Sequence, residues 1–190
     1  MNNIFNTPTN KPDSYRTLNV FAKSECVYDI TFYFVSRFLD RSHDRTVDQM
    51  QQAARSGKQN IVEGYSDAEG STESEHKLTV IAKGSLEELK EDYRDYLRCH
   101  NLEIWGPQHP KYKMAQPLCR RHNDSAWYRK QIEGRCAEEI ANIALIVIHQ
   151  TLAMLRGLID WQNHKFLEQG GIKEQRYRAR VEWRKKDKGW

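Results

Sequence analysis

Apolar positions recur at helical spacing along most of this chain. Val27, Ile30, Phe34 and Phe38 lie three, four and four residues apart, which predicts a first helix from Tyr15 or Leu18 to about Asp40. Val47, Met50, Ala54, Gly57 and Ile61 follow at three, four, three and four. That narrow seam puts all five on one face of a second helix. A Thr46/Gln49 capping box opens it, and Gly64 with residues 66–70 ends it. Ala54 and Gly57 have little bulk, so a partner helix can approach closely there. Thr72 and Glu75 form a second capping pair. The helix behind it carries Leu78, Ile81, Ala82, Ser85, Leu89, Tyr93, Tyr96 and Leu97, with Glu87, Glu88, Glu91, Asp92 and Asp95 on its outer face.

Pro107, Pro110, Pro117 and Gly106 mark residues 101–124 as a long connection, read as an ordered cap over one end of the helices. A fourth helix is expected from Asp124 or Ser125 to about Leu167. One of its stripes holds Ile132, Cys136, Ile140, Ile143, Val147, Thr151, Met154, Leu158 and Trp161. A second holds Leu145, Ile148, Leu152, Leu155 and Ile159. A surface helix needs one apolar stripe, so the second must also be covered. The expectation is an oligomer interface at Leu145, Ile148, Leu152, Leu155 and Ile159, with the C-terminal tail as the alternative cover. Gly170-Gly171 then breaks the chain, and 172–186 reads as a short basic helix with Arg176, Arg180 and Arg184 on one line.

The pattern predicts an all-α fold: an up-and-down four-helix bundle with a long loop between the third and fourth helices and a basic C-terminal helical extension. Residues 1–13 read as a disordered lead-in, 14–168 as the bundle with its insertion at 101–124, and 169–190 as the basic suffix. Ten Gly and five Pro in 190 residues agree with long elements and few turns. No stretch reads as a buried parallel strand followed by a Gly-rich turn, which argues against a large α/β enzyme domain. Residues 1–11 contain no apolar run behind a basic start. The apolar run 140–159 is interrupted by Asn142, His149, Gln150 and Arg156, a poor membrane span. Cys26, Cys99, Cys119 and Cys136 contain no Cys-x-x-Cys spacing and read as free thiols. A cytoplasmic location with no membrane contact is expected.

The net charge of +4 hides an asymmetry. Residues 67–110 carry a net −5, whereas 111–130 and 173–190 each carry +5. The basic blocks are Lys111, Lys113, Arg120, Arg121, Arg129 and Lys130, then Lys173, Arg176, Arg178, Arg180, Arg184, Lys185, Lys186 and Lys188. They are candidate footprints for a polyanion, or docking groups for the acidic third helix. Tyr177, Trp183 and Trp190, interleaved with the second block, are suited to stack on unpaired bases.

The stretch Ala53-Ala54-Arg55-Ser56-Gly57-Lys58-Gln59-Asn60-Ile61-Val62-Glu63-Gly64, followed by Gly84-Ser85-Leu86-Glu87-Glu88-Leu89, resembles the four-helix-bundle proteins encoded in intervening sequences of 23S ribosomal RNA genes. Tyr15-Arg16-Thr17-Leu18 and Asp92-Tyr93-Arg94-Asp95-Tyr96-Leu97 resemble the longer subgroup with a suffix after the bundle. The resemblance covers roughly residues 15–190 and is strongest over 46–98. It implies a bacterial all-α protein that forms a ring-like homo-oligomer, a pentamer. It also implies kinship with the accessory variability proteins of retroelements, which bind nucleic acid and a reverse transcriptase.

Enzyme chemistry finds little footing. Glu73-x-x-His76 is half of a di-iron pattern without its second copy. Cys119-x-x-His122 with His109 lacks a second ligand pair of zinc spacing. No catalytic triad or phosphate-binding Gly-rich loop is present, and no cofactor is expected. The leading expectation is a non-enzymatic oligomer that binds RNA or DNA through phosphate contacts from Arg120, Arg121, Arg176, Arg180, Arg184, Lys185 and Lys186, with Arg55 and Lys58 second. For the signature residues a structural role weighs alongside: Asn60 satisfying backbone groups near the helix end and Glu63 capping or pairing with a cation. The alternative function is a protein-interaction scaffold, such as an accessory subunit for a reverse transcriptase.

Overall fold

The computed structural model describes residues 14–40, 45–68 and 70–187. The expected lead-in 1–13, residues 41–44, Lys188 and Trp190 lie outside them. Among the described residues every regular element is helical. A single 3-10 turn, Tyr15–Thr17, leads into α1 (Asn19–Phe38), followed by α2 (Thr46–Asp67) and α3 (Thr72–Cys99). Then come α4 (Pro110–Arg121), α5 (Ser125–Ile132), α6 (Ala137–Gln169) and α7 (Ile172–Asp187).

The expected seam of α2 is the observed one: Val47, Met50, Ala54, Gly57 and Ile61 are buried, joined by Ala53 and Gly64. A Cβ built on Gly57 would lie 2.6 Å from Leu86 Cδ2 and 2.8 Å from its Cγ. The missing side chain thus lets α3 seat Leu86, itself fully buried, directly on α2. On α3 the buried line is Thr79, Ala82, Leu86, Leu89, Tyr93 and Leu97. Ile81, expected on that face, is instead exposed. Both caps sit one residue earlier than expected. Ser71 caps α3, its hydroxyl accepting from the Ser74 amide at 3.1 Å. Helix α2 has Arg45 at its cap position, with no side-chain bond.

Helices α1, α2, α3 and α6 pack in a closed cycle, α1 on α2, α2 on α3, α3 on α6 and α6 on α1. Helices α1 and α2, and likewise α3 and α6, run antiparallel. Tyr15, before α1, meets Tyr65, late in α2. Gln162, late in α6, donates to Thr79, early in α3, and Arg156 pairs with Glu87 at 3.1 Å.

The expected long loop and single fourth helix are corrected. Residues 110–121 form α4, with Pro110 in its first turn, where a missing amide hydrogen costs nothing. The chain breaks again at 133–136, so the last long helix starts at Ala137. Residues 102–105 strap the start of α6. The buried Asn142 accepts from the Trp105 amide (2.8 Å) and donates to the Glu103 carbonyl (2.8 Å). Helix α4 lies on α6 and α5 on α1. Lys111 pairs with Glu139 at 3.1 Å, Gln150 donates to the Gln116 carbonyl at 3.1 Å, and Arg129 pairs with Asp29.

This arrangement leaves little of the expected oligomer interface exposed on a single chain. Residues 140–148 of α6 are buried without interruption. Leu145, Ile148, Leu152 and Leu155 are buried, and Ile159 half-buried, inside one chain. The chain's own α1, α3 and α4 pack on α6 around this stripe, and the strap adjoins its start. Each large aliphatic side chain so covered contributes about 1.5–3 kcal/mol gross.

Gly57→Val places branched bulk against Leu86. We expect a loss of about 1–3 kcal/mol, read as a lower thermal midpoint, with partial recovery in the Gly57→Val/Leu86→Ala pair, where the two volumes compensate.

Candidate functional site

Helix α7 follows a helix break at Gly170, whose φ of 72° is costly for any residue with a Cβ. Its side chains carry the strongest basic block. Arg176, Arg178, Arg180, Arg184, Lys185 and Lys186 are exposed, as are Tyr177 (70 %) and Trp183 (63 %). Only Ile172, Gln175 and Val181 are half-buried. Among the described residues no carboxylate pairs with any of these cations, so the acidic outer face of α3 is not their partner. That face is neutralised locally: Glu87 pairs with Lys90 and Arg156, Glu91 with Arg94, and Asp95 with Arg98.

The other expected residues divide by role. Arg120 and Arg121 are exposed in the last turn of α4, where cations complement the helix dipole. Lys111 and Arg129, from the same basic block, are held in the ion pairs that fix α4 and α5. Arg55 is exposed on α2. Lys58 is half-buried with its Nζ 4.3 Å from the Tyr28 ring centroid, a cation–π contact from α2 to α1. Asn60 donates to the Ser56 carbonyl at 2.8 Å, and the Ser56 hydroxyl meets that of Ser85 at 2.9 Å. Glu63 accepts from Gln59 at 3.3 Å rather than pairing with a cation. Lys58, Ser56 and Asn60 thus bind the helices to one another and stabilise α2 itself. Among the described residues no hydrogen bond or ion pair joins Arg55, Arg120 or Arg121 to α7.

Two adjoining clefts lie at the root of α7, between the start of α3 and the end of α6. Thr72, Lys165 and Gln175 border both. The larger, about 320 Å³, is lined also by Glu73, His76, Gln162 and Phe166, and the smaller by Arg176. Sequence reasoning passed over Gln162, Lys165 and Phe166, which carry no motif. Of its half di-iron pattern, Glu73 and His76 both line this cleft. The zinc candidates have other partners: His122 stacks on Trp127 (4.0 Å), His109 stacks on Trp105 (5.4 Å), and Cys119 is buried.

A second group missed by the sequence is Lys23, fully buried on α1. Its Nζ donates to the Cys119 carbonyl (2.5 Å) and the His122 carbonyl (2.6 Å), the orphan acceptors at the end of α4. The Tyr128 hydroxyl, with one hydrogen to give, lies within hydrogen-bond distance of the same pair of carbonyls, 3.0 and 3.2 Å away. Burial pushes the Lys23 ammonium below its usual range, opposed by neighbouring Cys26 and Cys119. Burial likewise pushes the Cys26 thiol up to about 12, although Lys23 pulls it down. This cluster is a pin between α1 and the α4–α5 corner.

Lys23→Met removes the donor but leaves the carbonyls buried. We expect about 1–3 kcal/mol of destabilisation in a denaturant titration. In the native protein a thiol reagent at mildly alkaline pH should modify exposed Cys99 and Cys136 promptly. Cys26 and Cys119 should react only on unfolding.

No family model matches this chain, and neither a curated protein nor a solved structure is significantly similar to it.

Proposed function

We propose that this chain is a non-enzymatic, cytoplasmic nucleic-acid-binding protein, an up-and-down four-helix bundle built of α1, α2, α3 and α6, that grips RNA or DNA phosphates with α7. The observation that carries the reading is the state of α7. It has seven cations in sixteen residues and no carboxylate paired to them among the described residues. It also has no apolar stripe to hold it on the body. A helix that is polar all round draws its stability from charge pairs or from a partner. Phosphates supply the missing counter-charge, and Tyr177 and Trp183 offer π faces to unpaired bases. Arg176, Arg180 and Arg184 form the central line, Lys185 and Lys186 extend it, and Arg120, Arg121 and Arg55 are secondary contacts. Lys58 leaves the set because Tyr28 already holds it.

The likeness to proteins of 23S rRNA intervening sequences, and to retroelement accessory proteins, supports the same reading and adds a ring of copies, a pentamer, as its assembled form. That assembly rests on the resemblance alone, since the second stripe of α6 is covered at home. A scaffold reading, in which α7 docks on a reverse transcriptase or another protein, draws on the exposed Phe166, Leu167, Tyr177 and Trp183.

Recognition through phosphates is sequence-tolerant and salt-sensitive. Raising salt from about 50 to about 200 mM should weaken binding of a labelled structured RNA about a hundredfold. Arg176→Ala/Arg180→Ala/Arg184→Ala should flatten the log–log salt slope by about 2–3, and deleting residues 171–190 should abolish binding. Affinity indifferent to salt and to the deletion overturns the reading. Protein capture that survives nuclease and high salt, with no RNA binding, favours the scaffold.

A further inference from the structure

We propose that one face of α7 is a track for single-stranded nucleic acid, with phosphates along Arg176, Arg180 and Arg184 and bases turned out onto Trp183, Tyr177 and Phe166; this rests on the nucleic-acid reading above and commits it to unpaired strands over duplexes. Among the described residues four aromatic side chains are exposed: Phe32, Phe166, Tyr177 and Trp183. Phe32, on α1, stacks with Tyr28, their centroids 6.5 Å apart. The other three have no ring, cation or hydrogen-bond partner among the described residues, and all three lie on α7 or at its root. Phe166 sits at the helix break itself, since a Cβ built on Gly171 would meet its Cε2 at 3.5 Å. Single rings scattered over a surface are ordinary, but these are gathered on the most basic element of the chain.

Helical geometry arranges the rings around the arginines. Arg176, Arg180 and Arg184 follow one another with a rise of about 6 Å and a drift of about 40° per step. Trp183 lies at one edge of that line and Tyr177 at the other, each about 60° from its middle. Arg178 and Lys185, seven residues apart, share the far side of the helix. At the inner end Arg176 borders a cleft with Lys165, the neighbour of Phe166 in sequence. Gln175 holds this end in place by donating to the Gly170 carbonyl at 3.1 Å. An unpaired strand suits this layout: its backbone can follow the cations while its bases fall to either side and stack on the rings. A duplex does not, because its bases already stack on one another and would leave the rings bare. Charge alone favours the duplex, whose phosphates are denser. Preference for the single strand is therefore the signature of the rings.

The test is fluorescence anisotropy of the full chain with a labelled oligonucleotide that cannot pair with itself, alone and annealed to its complement. The single strand should bind about tenfold more tightly than the duplex. Tyr177→Ala/Trp183→Ala, at two exposed side chains, should erase that preference. It should leave duplex affinity and the salt slope unchanged, since no charge is lost. Phe166→Ala should weaken the single strand alone, by about fivefold. Arg176→Ala/Arg180→Ala and Arg178→Ala/Lys185→Ala remove the same charge from opposite sides of α7. The first pair should cost the single strand about tenfold more than the second, where a diffuse cationic cloud would make them equal. Duplex bound as tightly as the single strand, or a preference untouched by the aromatic substitutions, overturns the proposal and spares the phosphate reading of α7. Equal losses from the two cation pairs do the same. Absence of binding to both forms overturns the two readings together.

Discussion

The fold depends on one constraint: a helix that must be covered on every side. Over residues 140–148 α6 presents Ile140, Ile143, Leu145, Ile146, Val147 and Ile148, all buried, and two neighbouring helices cannot enclose a cylinder. Helices α1 and α3 take two sides. The strap at 102–105 and α4 close what remains. Asn142 shows how polar backbone is brought against that surface: its one amide satisfies both the Trp105 N–H and the Glu103 carbonyl. Lys23 solves the matching problem at the far end of α4, where helix carbonyls would otherwise be buried without donors. The segment between α3 and α6 is thus part of the core's outer wall.

How much of this was legible in the sequence depends on the kind of signal. Seams with one apolar face could be read almost residue by residue, as Val47, Met50, Ala54, Gly57 and Ile61 show. The second stripe of α6 could also be read, but periodicity says only that a face must be covered. It does not say by what. The cover escaped notice because Pro107, Pro110 and Pro117 suggested a loop, whereas Pro110 sits where a helix tolerates proline and Pro117 is accommodated inside α4. Ile81 was misplaced because α3 turns Leu86 into the hollow left by Gly57, which rotates its buried line toward Thr79, Ala82 and Leu86. The α3 cap slipped by one residue because Ser71 and Thr72 are both competent, and only the backbone chooses between them.

The candidate site was legible as charge and illegible as shape. Basic composition marked α7, and its cations are indeed unpaired among the described residues. The same criterion overrated Lys58, because a sequence does not show that Tyr28 lies across from it. Composition also missed Gln162, which ties α6 to the start of α3 through Thr79.

The two halves of the site constrain one another. Gly170 interrupts the helix at the end of α6, and the first turn of α7 borders clefts with the start of α3, while most of its later residues are exposed. Arg176 lies in the anchored part and borders the smaller cleft; Arg180 and Arg184 lie one and two turns further out on the same line. A phosphate held at Arg176 would therefore be the inner end of a cationic track. The contact nearest the core is also the one where α7 loses least freedom on binding, since its backbone is already held by Gln175 and the Gly170 turn. The outer arginines must be ordered by what they bind, at a cost in conformational entropy. Contacts along α7 are for that reason unequal: the root of the helix is where geometry can discriminate, and the tip is where charge alone acts.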